Sequence, residues 1–213
     1  MSFMIAQRNQ QTAREPATQR ALQAFRAHGG MLRFAEARAA GIPPTALYRM
    51  RESGAIRVLA RGLYGLSDMP PQTQPDLVTV NRAAPRGIIC LVSALAWHDL
   101  TAEVPHVVDC ALPRGVRPPR LDHPPLRVFW FGLEAYAQGI ETHVVDGCQI
   151  RVYSPEKTLA DCFKFRNTLG LDTVLDALRR YRTKFGLRSD DLMRYARLCR
   201  VHKVMQPYLE ATL

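Results

Sequence analysis

Acidic residues are scarce in the first third of the 213-residue sequence. Residues 1–66 contain three glutamates and no aspartate, against ten arginines and no lysine. This segment therefore carries +7 of the formal net charge of +10. Such an excess favours a polyanionic partner, usually nucleic acid, with an anionic membrane as the other candidate. The alternative is a solvated, arginine-rich surface with no such partner.

Paired cysteines and long apolar stretches are also missing. The five cysteines are far apart, none forms a Cys-x-x-Cys pair, and their number is odd, which excludes a disulfide framework and indicates a reduced protein. Residues 1–16 lack the apolar run of a signal peptide. The longest apolar stretch, residues 88–97, is too short to cross a bilayer. We therefore expect a soluble, cytoplasmic protein without a membrane association.

Signatures of catalysis are missing as well. The six histidines are scattered, and the sequence contains no Cys/His cluster with metal-ligand spacing, no Gly-x-Ser-x-Gly frame and no glycine-rich phosphate loop. A metal-dependent nuclease would need carboxylates near strand ends, for which Asp109 and Glu141 are candidates, usually with a lysine beside them. All four lysines lie instead in the helical last third. We expect no enzymatic activity, no metal and no cofactor, and a nuclease is the enzymatic alternative.

Three predicted helices followed by a hairpin occupy the basic segment. Periodicity predicts helices at about 17–27, 32–40 and 44–53, and two short strands at 56–59 and 63–66. Proline lacks an N–H and fixes φ, so Pro44 can stand only in the first turn of the third helix. Gly54 suits the position after its end. This order is typical of a winged helix-turn-helix, in which the third helix enters the major groove of DNA.

The third helix has a predicted outer face. Leu47 and Met50 are three residues apart and should face the core, which leaves Thr45, Tyr48 and Arg49 outside. Arg49 can donate a bidentate pair to guanine, and arginines on the hairpin can meet phosphates. The alternative is a helical domain that binds another protein. The predicted DNA-binding residues are Pro44, Thr45, Tyr48, Arg49, Arg51, Arg57, Arg61 and Tyr64.

The rest of the chain predicts a second domain that mixes helices and strands and ends in about 60 helical residues. The fold class is therefore α+β: an N-terminal winged helix-turn-helix followed by a mixed α/β domain that ends in a helical bundle. A linker rich in proline separates the two. The predicted organisation is a flexible N-terminus (1–15), the winged helix (16–68), the linker (69–75) and the C-terminal domain (76–213). Within the last of these, the second helix is predicted at 88–98.

One known family shares these features. GIPPTALYRMRESGAIRVLARGLYGL (41–66) resembles the winged helix of the AbiEi antitoxins, including an Arg-Gly-x-Tyr sequence that closes the wing. LVSALAWHDLT (91–101) and SPEKTLADCFKFRNTLGLDTVLDALRRY (154–181) are similar to the C-terminal domain of that family. The resemblance covers nearly the whole chain after residue 15. Pro43 departs from it, because relatives often have a capping Ser, Thr or Asp there.

The resemblance implies a bacterial type IV antitoxin. Such a protein represses its own operon by binding inverted repeats in double-stranded DNA. It also counteracts a co-encoded nucleotidyltransferase-like toxin through its C-terminal domain, and a stable toxin–antitoxin complex is not the rule. The alternative is a stand-alone winged-helix regulator with a sensing C-terminal domain.

Charged residues in the last third are candidates for the antitoxicity surface. Glu156 suits a helix N-terminus, and Lys157 and Asp161 are spaced to pair on one helix. The alternative is that these three residues form a helix-start motif that supports the preceding strand. Arg179 and Arg180 belong to a basic run that is either a solvated helix face or a second nucleic-acid contact. The predicted antitoxicity surface combines Glu156, Lys157, Asp161, Arg179 and Arg180.

Overall fold

Three helices and a three-stranded sheet form the N-terminal part of the computed structural model, which describes residues 15–69, 72–186 and 188–211. Residues 1–14 of the predicted flexible N-terminus lie outside the described residues. The sheet has the order β1-β3-β2 and is antiparallel. The elements are α1 Glu15–Ala27, β1 Met31–Arg33, α2 Phe34–Ala39, α3 Pro44–Glu52, β2 Ile56–Ala60 and β3 Leu63–Leu66.

Strand β1 replaces the start of the helix predicted at 32–40. Leu32 is fully buried and lies opposite Tyr64 of β3. The helix begins only at Phe34, so the first two residues of the prediction are wrong. Because the strand exists through pairing with residues about thirty positions away, local periodicity does not reveal it. The other predicted helices and the hairpin of this part are confirmed, with ends shifted by one or two residues.

The C-terminal part is built on a mixed five-stranded sheet of order β6-β5-β4-β8-β7. The β4–β8 and β5–β6 pairs are parallel, and the β4–β5 and β7–β8 pairs are antiparallel. The chain as a whole is therefore α+β, as predicted. The elements are α4 Pro75–Ala83, β4 Ile88–Ile89, α5 Leu91–Trp97, β5 Val108–Pro113, β6 Leu126–Phe131, α6 Leu133–Ala137, β7 Ile140–Val145, β8 Cys148–Tyr153, α7 Pro155–Lys164, α8 Arg166–Leu169, α9 Leu171–Phe185, α10 Ser189–Leu198 and α11 His202–Glu210.

The central strand β4 falls where the sequence predicts a helix over 88–98. Ile88 and Ile89 are both fully buried, and they pair with Ala111 and Cys110 of β5. Their side chains enter two different hydrophobic clusters, one on each face of the sheet. The helical prediction is wrong for these residues because a short apolar run fits a buried strand and a buried helix equally well.

The two faces of this sheet have different covers. Helices α7, α9, α10 and α11 share a cluster with Phe131 and Tyr153 on one side. On the other side, α4 packs with Met31, Ala60 and Leu63 of the N-terminal sheet. The N-terminal part therefore buries apolar surface against the C-terminal part. The boundary predicted at the linker stays a prediction.

Polar contacts add to this junction. Arg82 of α4 donates to the Glu36 carboxylate at 2.5 Å and to the Met31 carbonyl at 3.1 Å. Burial acts to raise the pKa of Glu36, but its hydrogen bonds to the Arg33 amide and to Arg82 outweigh that effect, so the pKa is lowered. An N-terminal fragment would lose these contacts and expose the apolar surface. The experiments below therefore use the whole chain.

Within the described residues, no helix combines the length and the apolar character that crossing a bilayer requires.

Candidate nucleic-acid interface

Helix α3 begins and ends as its prolines and glycine predict. Pro43 is extended (φ −70°, ψ 145°) and offers no side-chain cap, and Pro44 occupies the first turn. The Ala46 amide donates to the Pro43 carbonyl at 2.9 Å, so a backbone acceptor serves the exposed helix start. At the other end, Gly54 adopts φ +75°, which favours glycine. Local chemistry alone therefore sets the limits of this helix.

The inner and outer faces of α3 match the prediction. Leu47 and Met50 are each only 2% exposed. They pack with Phe25, Leu32 and Ile56 in a hydrophobic cluster of the N-terminal part, which we call the N-terminal cluster. Thr45 and Arg49 are exposed, and Tyr48 is 52% exposed. An aromatic ring and a guanidinium group thus project from the helix together. Their contact with DNA stays a prediction.

Three other predicted residues are Arg51 and Pro44 on α3 and Tyr64 on β3. The exposed Arg51 holds its guanidinium carbon 5.6 Å from the centre of the Tyr48 ring, a cation–π distance. Pro44 and Tyr64 are half-buried, and the Tyr64 side chain packs against the N-terminal cluster. Pro44 and Tyr64 therefore offer only part of their surface to a partner.

The hairpin of β2 and β3, which we call the wing, carries the other two predicted arginines. Arg57 is exposed on β2, opposite Gly65 of β3. Arg61 is exposed at the turn, followed by Gly62 with φ +73°. The Gly62 carbonyl accepts from the Phe34 amide at 2.8 Å, which joins the turn to the start of α2. The tip of the wing is therefore held against the start of α2.

A cluster of arginines that sequence reasoning missed lies beside the wing. The loop between β5 and β6 reaches the N-terminal sheet, where Leu121 forms a β-bridge with Ala60. A cavity of about 340 Å³ lies at this contact and is lined by four arginines. None of the four guanidinium groups pairs with a carboxylate among the described residues. We call this cavity the arginine cleft; its arginines are Arg33, Arg61, Arg117 and Arg120.

The signal for the arginine cleft was present but ambiguous. The sequence PRGVRPPRLDHPP marks a loop rich in proline and arginine. Nothing local to it indicates that Arg117 and Arg120 meet Arg61, which is more than fifty residues earlier. The tertiary contact therefore extends the basic surface from the N-terminal part onto the C-terminal part.

The predicted antitoxicity surface needs a correction. Lys157 and Asp161 are fully buried and Glu156 is only 8% exposed, so these three residues cannot form an exposed contact surface. The Lys157 ammonium lies 2.5 Å from the Asp161 carboxylate, and the Cys199 thiol donates to the other oxygen of Asp161 at 3.1 Å. Helix α7 contacts helices on several sides, including α5, α9 and α10. The local sequence pattern does not reveal that the charged residues of such a helix are buried by neighbouring elements.

The buried charged groups of α7 have hydrogen-bond or ion-pair partners. The Tyr181 hydroxyl donates to Glu156 at 2.7 Å, and burial followed by this hydrogen bond raises the pKa of Tyr181. Burial also raises the pKa of Asp161, which Lys157 partly offsets. The Lys157 ammonium lies 4.2 Å from the centre of the Tyr153 ring. The helix-start motif therefore has a supporting role in the core.

Arg179 and Arg180 are placed apart from that buried group. Both are exposed on α9, and they pair with Asp176 at 3.5 Å and 2.7 Å. These are ordinary helix-surface spacings, and such pairs stabilise a protein only weakly. Of the five residues predicted for antitoxicity, only these two are available to a partner.

The two carboxylates considered for a nuclease are engaged in separate places. Asp109 is fully buried, accepts from Arg127 at 2.7 Å and 3.0 Å, and accepts from the Val92 amide at 3.1 Å. Glu141 lies 3.1 Å from a ring nitrogen of His143. Across the described part of the chain, no three His, Cys, Asp or Glu side chains group as a metal site.

Comparison with known proteins identifies the segment that carries α3 and the wing. Residues 19–67 match the family described as "Transcriptional regulator, AbiEi antitoxin". The match covers the N-terminal part and does not extend to the C-terminal part. The resemblance predicted for residues 41–66 is thereby confirmed. The AbiEi match covers the outer face of α3, the wing and Arg33 of the arginine cleft, whereas Arg117 and Arg120 lie beyond it. No curated protein matches the chain.

Proposed function

We propose that this protein is a member of the AbiEi family, a DNA-binding transcriptional repressor and the antitoxin of a type IV toxin–antitoxin system. It binds inverted repeats in the promoter of its own operon, and residues 76–213 counteract a nucleotidyltransferase-like toxin in the cytoplasm. The AbiEi match supports the general role of regulator and antitoxin. The observation that carries the DNA-binding proposal is the exposed outer face of α3, beside a basic wing, within the matched residues.

Helix α3 supplies the sequence readout in this proposal. Arg49 is exposed on the face opposite Leu47 and Met50, so its guanidinium group can reach the bottom of a major groove. Arginine donates two parallel hydrogen bonds to guanine O6 and N7, which no other base accepts in the same way. Thr45 and Tyr48 are the neighbouring side chains for base edges or phosphates.

The wing and the arginine cleft supply the sequence-independent part. Four guanidinium groups without carboxylate partners in the described chain line the cleft, and such groups form strong, charge-assisted hydrogen bonds with phosphate. Contacts to phosphate hold a protein in register on the duplex but carry no base information. The phosphate backbone of the DNA would therefore lie along Arg61, Arg117 and Arg120, beside the wing.

The test is a titration of the whole protein with a duplex from its own upstream promoter and with a scrambled duplex, at two salt concentrations. We expect tighter binding to the promoter, and a steep loss of affinity with salt because each phosphate contact contributes a log–log slope of about −0.9. Equal affinity for both duplexes would contradict the repressor role. Binding that is insensitive to salt would contradict the phosphate contacts.

A matched pair of variants tests the arginine cleft. Arg117→Ala with Arg120→Ala removes two positive charges at the cleft, and Arg179→Ala with Arg180→Ala removes two from α9. The first pair should reduce the magnitude of the salt slope by about two, and the second should leave it nearly unchanged. If the α9 pair reduced the salt slope and the cleft pair did not, the phosphate contacts would be assigned to α9 and not to the arginine cleft.

A further inference from the structure

A groove on the C-terminal part has a volume of about 800 Å³. Trp97 lies in its wall and packs against His143 with 5.1 Å between ring centres. Two valines that line it are largely exposed to solvent: Val104 is 76% exposed and Val144 is 72% exposed. The groove therefore offers apolar surface that nothing in the described chain covers.

The charge of this groove is opposite to that of the protein. Four carboxylates line it, and none of its lining residues in the described chain is a lysine or arginine. This contrasts with a formal net charge of +10 for the whole sequence. Three of these carboxylates have partners: Asp76 faces His123, Asp99 pairs with Lys184 and Asp146 accepts from Thr73. The fourth, Glu103, is exposed in the loop that carries Val104.

The groove and the arginine cleft share no lining residue. They flank opposite ends of α4, with Asp76 and Leu77 at its start and Ala83 at its end. A ligand in the groove would therefore leave the proposed DNA contacts free. Glu103 and Asp146 bring negative charge to the groove and no lysine or arginine of the described chain lines it, so the groove does not suit a nucleic acid.

We propose that this groove docks a protein segment in which lysine or arginine alternates with apolar residues. The apolar side chains would pack against Trp97, Val104 and Val144, and the cationic groups would meet Glu103 and Asp146 at the rim. Contact surfaces of proteins commonly combine apolar packing with complementary charge.

Fluorescence of Trp97 gives a direct test in the whole chain. The sequence has two tryptophans, so Trp130→Phe leaves Trp97 as the single reporter. The probe is a short peptide of alternating lysine and valine, and the matched probe carries glutamate in place of lysine. We expect saturable, one-to-one binding of the first probe, weakened by salt, and no binding of the second.

Two pairs of substitutions at exposed positions then locate the contact. Glu103→Gln with Asp146→Asn removes two rim charges, and asparagine tolerates the positive φ of Asp146. Val104→Ser with Val144→Ser removes the two exposed apolar side chains. Each pair should weaken probe binding by about threefold to tenfold. Promoter binding should be unchanged in both, so a failure of the groove proposal and a failure of the repressor proposal are distinguishable.

The control pair has the same charge change elsewhere on the C-terminal part. Glu134→Gln with Asp172→Asn alters two exposed carboxylates outside the groove and should leave probe affinity unchanged. Equal losses in groove and control pairs would show that the probe senses net charge only, which overturns the proposal. Absence of a saturable change in Trp97 emission up to about 1 mM probe, or equal binding of the glutamate probe, would also overturn it.

Discussion

Replacing Lys157 with methionine should destabilise the protein strongly. The side chain is fully buried, its ammonium lies 2.5 Å from Asp161, and the substitution keeps most of its volume. Asp161 would then be a buried carboxylate whose remaining side-chain partner is the Cys199 thiol at 3.1 Å, a weak donor. Breaking a buried ion pair on one side costs about 3–5 kcal/mol. This is a large fraction of the roughly 5–15 kcal/mol that stabilises a typical domain.

A double substitution separates the cost of leaving Asp161 without its ion-pair partner from the cost of lost packing. Lys157→Met combined with Asp161→Leu removes both charges and keeps the site apolar. Replacing both members of a buried pair by hydrophobic residues is often neutral or stabilising. The double variant should therefore recover most of the free energy of unfolding that the single variant loses. Lys164→Met is the matched control, because Lys164 is exposed on the same helix, and it should stay within about 0.5 kcal/mol of the original protein.

The loss in free energy of unfolding caused by Lys157→Met should also depend on pH. Burial raises the pKa of Asp161 above 3.8, and Lys157 lowers it, so loss of the lysine raises the pKa further. A carboxyl with a higher pKa in the folded state penalises folding as the pH rises through that pKa. Below the pKa of the unfolded state the group is protonated in both states, and the penalty disappears. The loss should therefore be greatest at neutral pH and shrink toward about pH 4.

Urea unfolding followed by circular dichroism measures all three variants. A loss of less than about 1 kcal/mol in Lys157→Met would refute the reasoning, as would a double variant no more stable than the single one. The result bears on function too, because a charge reversal at Lys157 would abolish rescue from a toxin simply by unfolding the protein. Rescue assays of such variants therefore need a parallel measurement of folding.

Further substitutions test the proposed interface and the second buried carboxylate. Arg49→Ala should cost about 1–3 kcal/mol on the promoter duplex and much less on a scrambled one, as measured by anisotropy titrations; equal losses would make Arg49 a phosphate contact. Arg61→Ala should weaken both duplexes by similar factors and reduce the magnitude of the salt slope by about one, and a loss on the promoter alone would argue against a phosphate role. Arg127→Ala deprives the buried Asp109 of its only guanidinium partner in the described chain and should lower the free energy of unfolding by about 1–3 kcal/mol. A urea midpoint unchanged by that substitution would mean that water replaces the arginine.

The sequence by itself was sufficient for the features that local chemistry controls. Proline at the start of α3, glycine after its end and the spacing of Leu47 and Met50 determine where the helix lies and which face it buries. The turn at Gly62 and the turn at Gly147 likewise depend on residues within a few positions of each other. The helices of the last third, such as Leu171–Phe185, were predictable for the same reason.

Only the tertiary structure decided the features that depend on distant partners. Strands β1 and β4 exist because residues far along the chain complete their hydrogen bonds, and a short apolar run does not reveal those partners. Lys157 and Asp161 read as a surface pair because charged residues spaced by four usually face water, yet surrounding elements enclose them. The arginine cleft brings Arg61 and Arg117 together across the fold. Burial and long-range proximity are properties of how elements pack, and no single segment of sequence contains them.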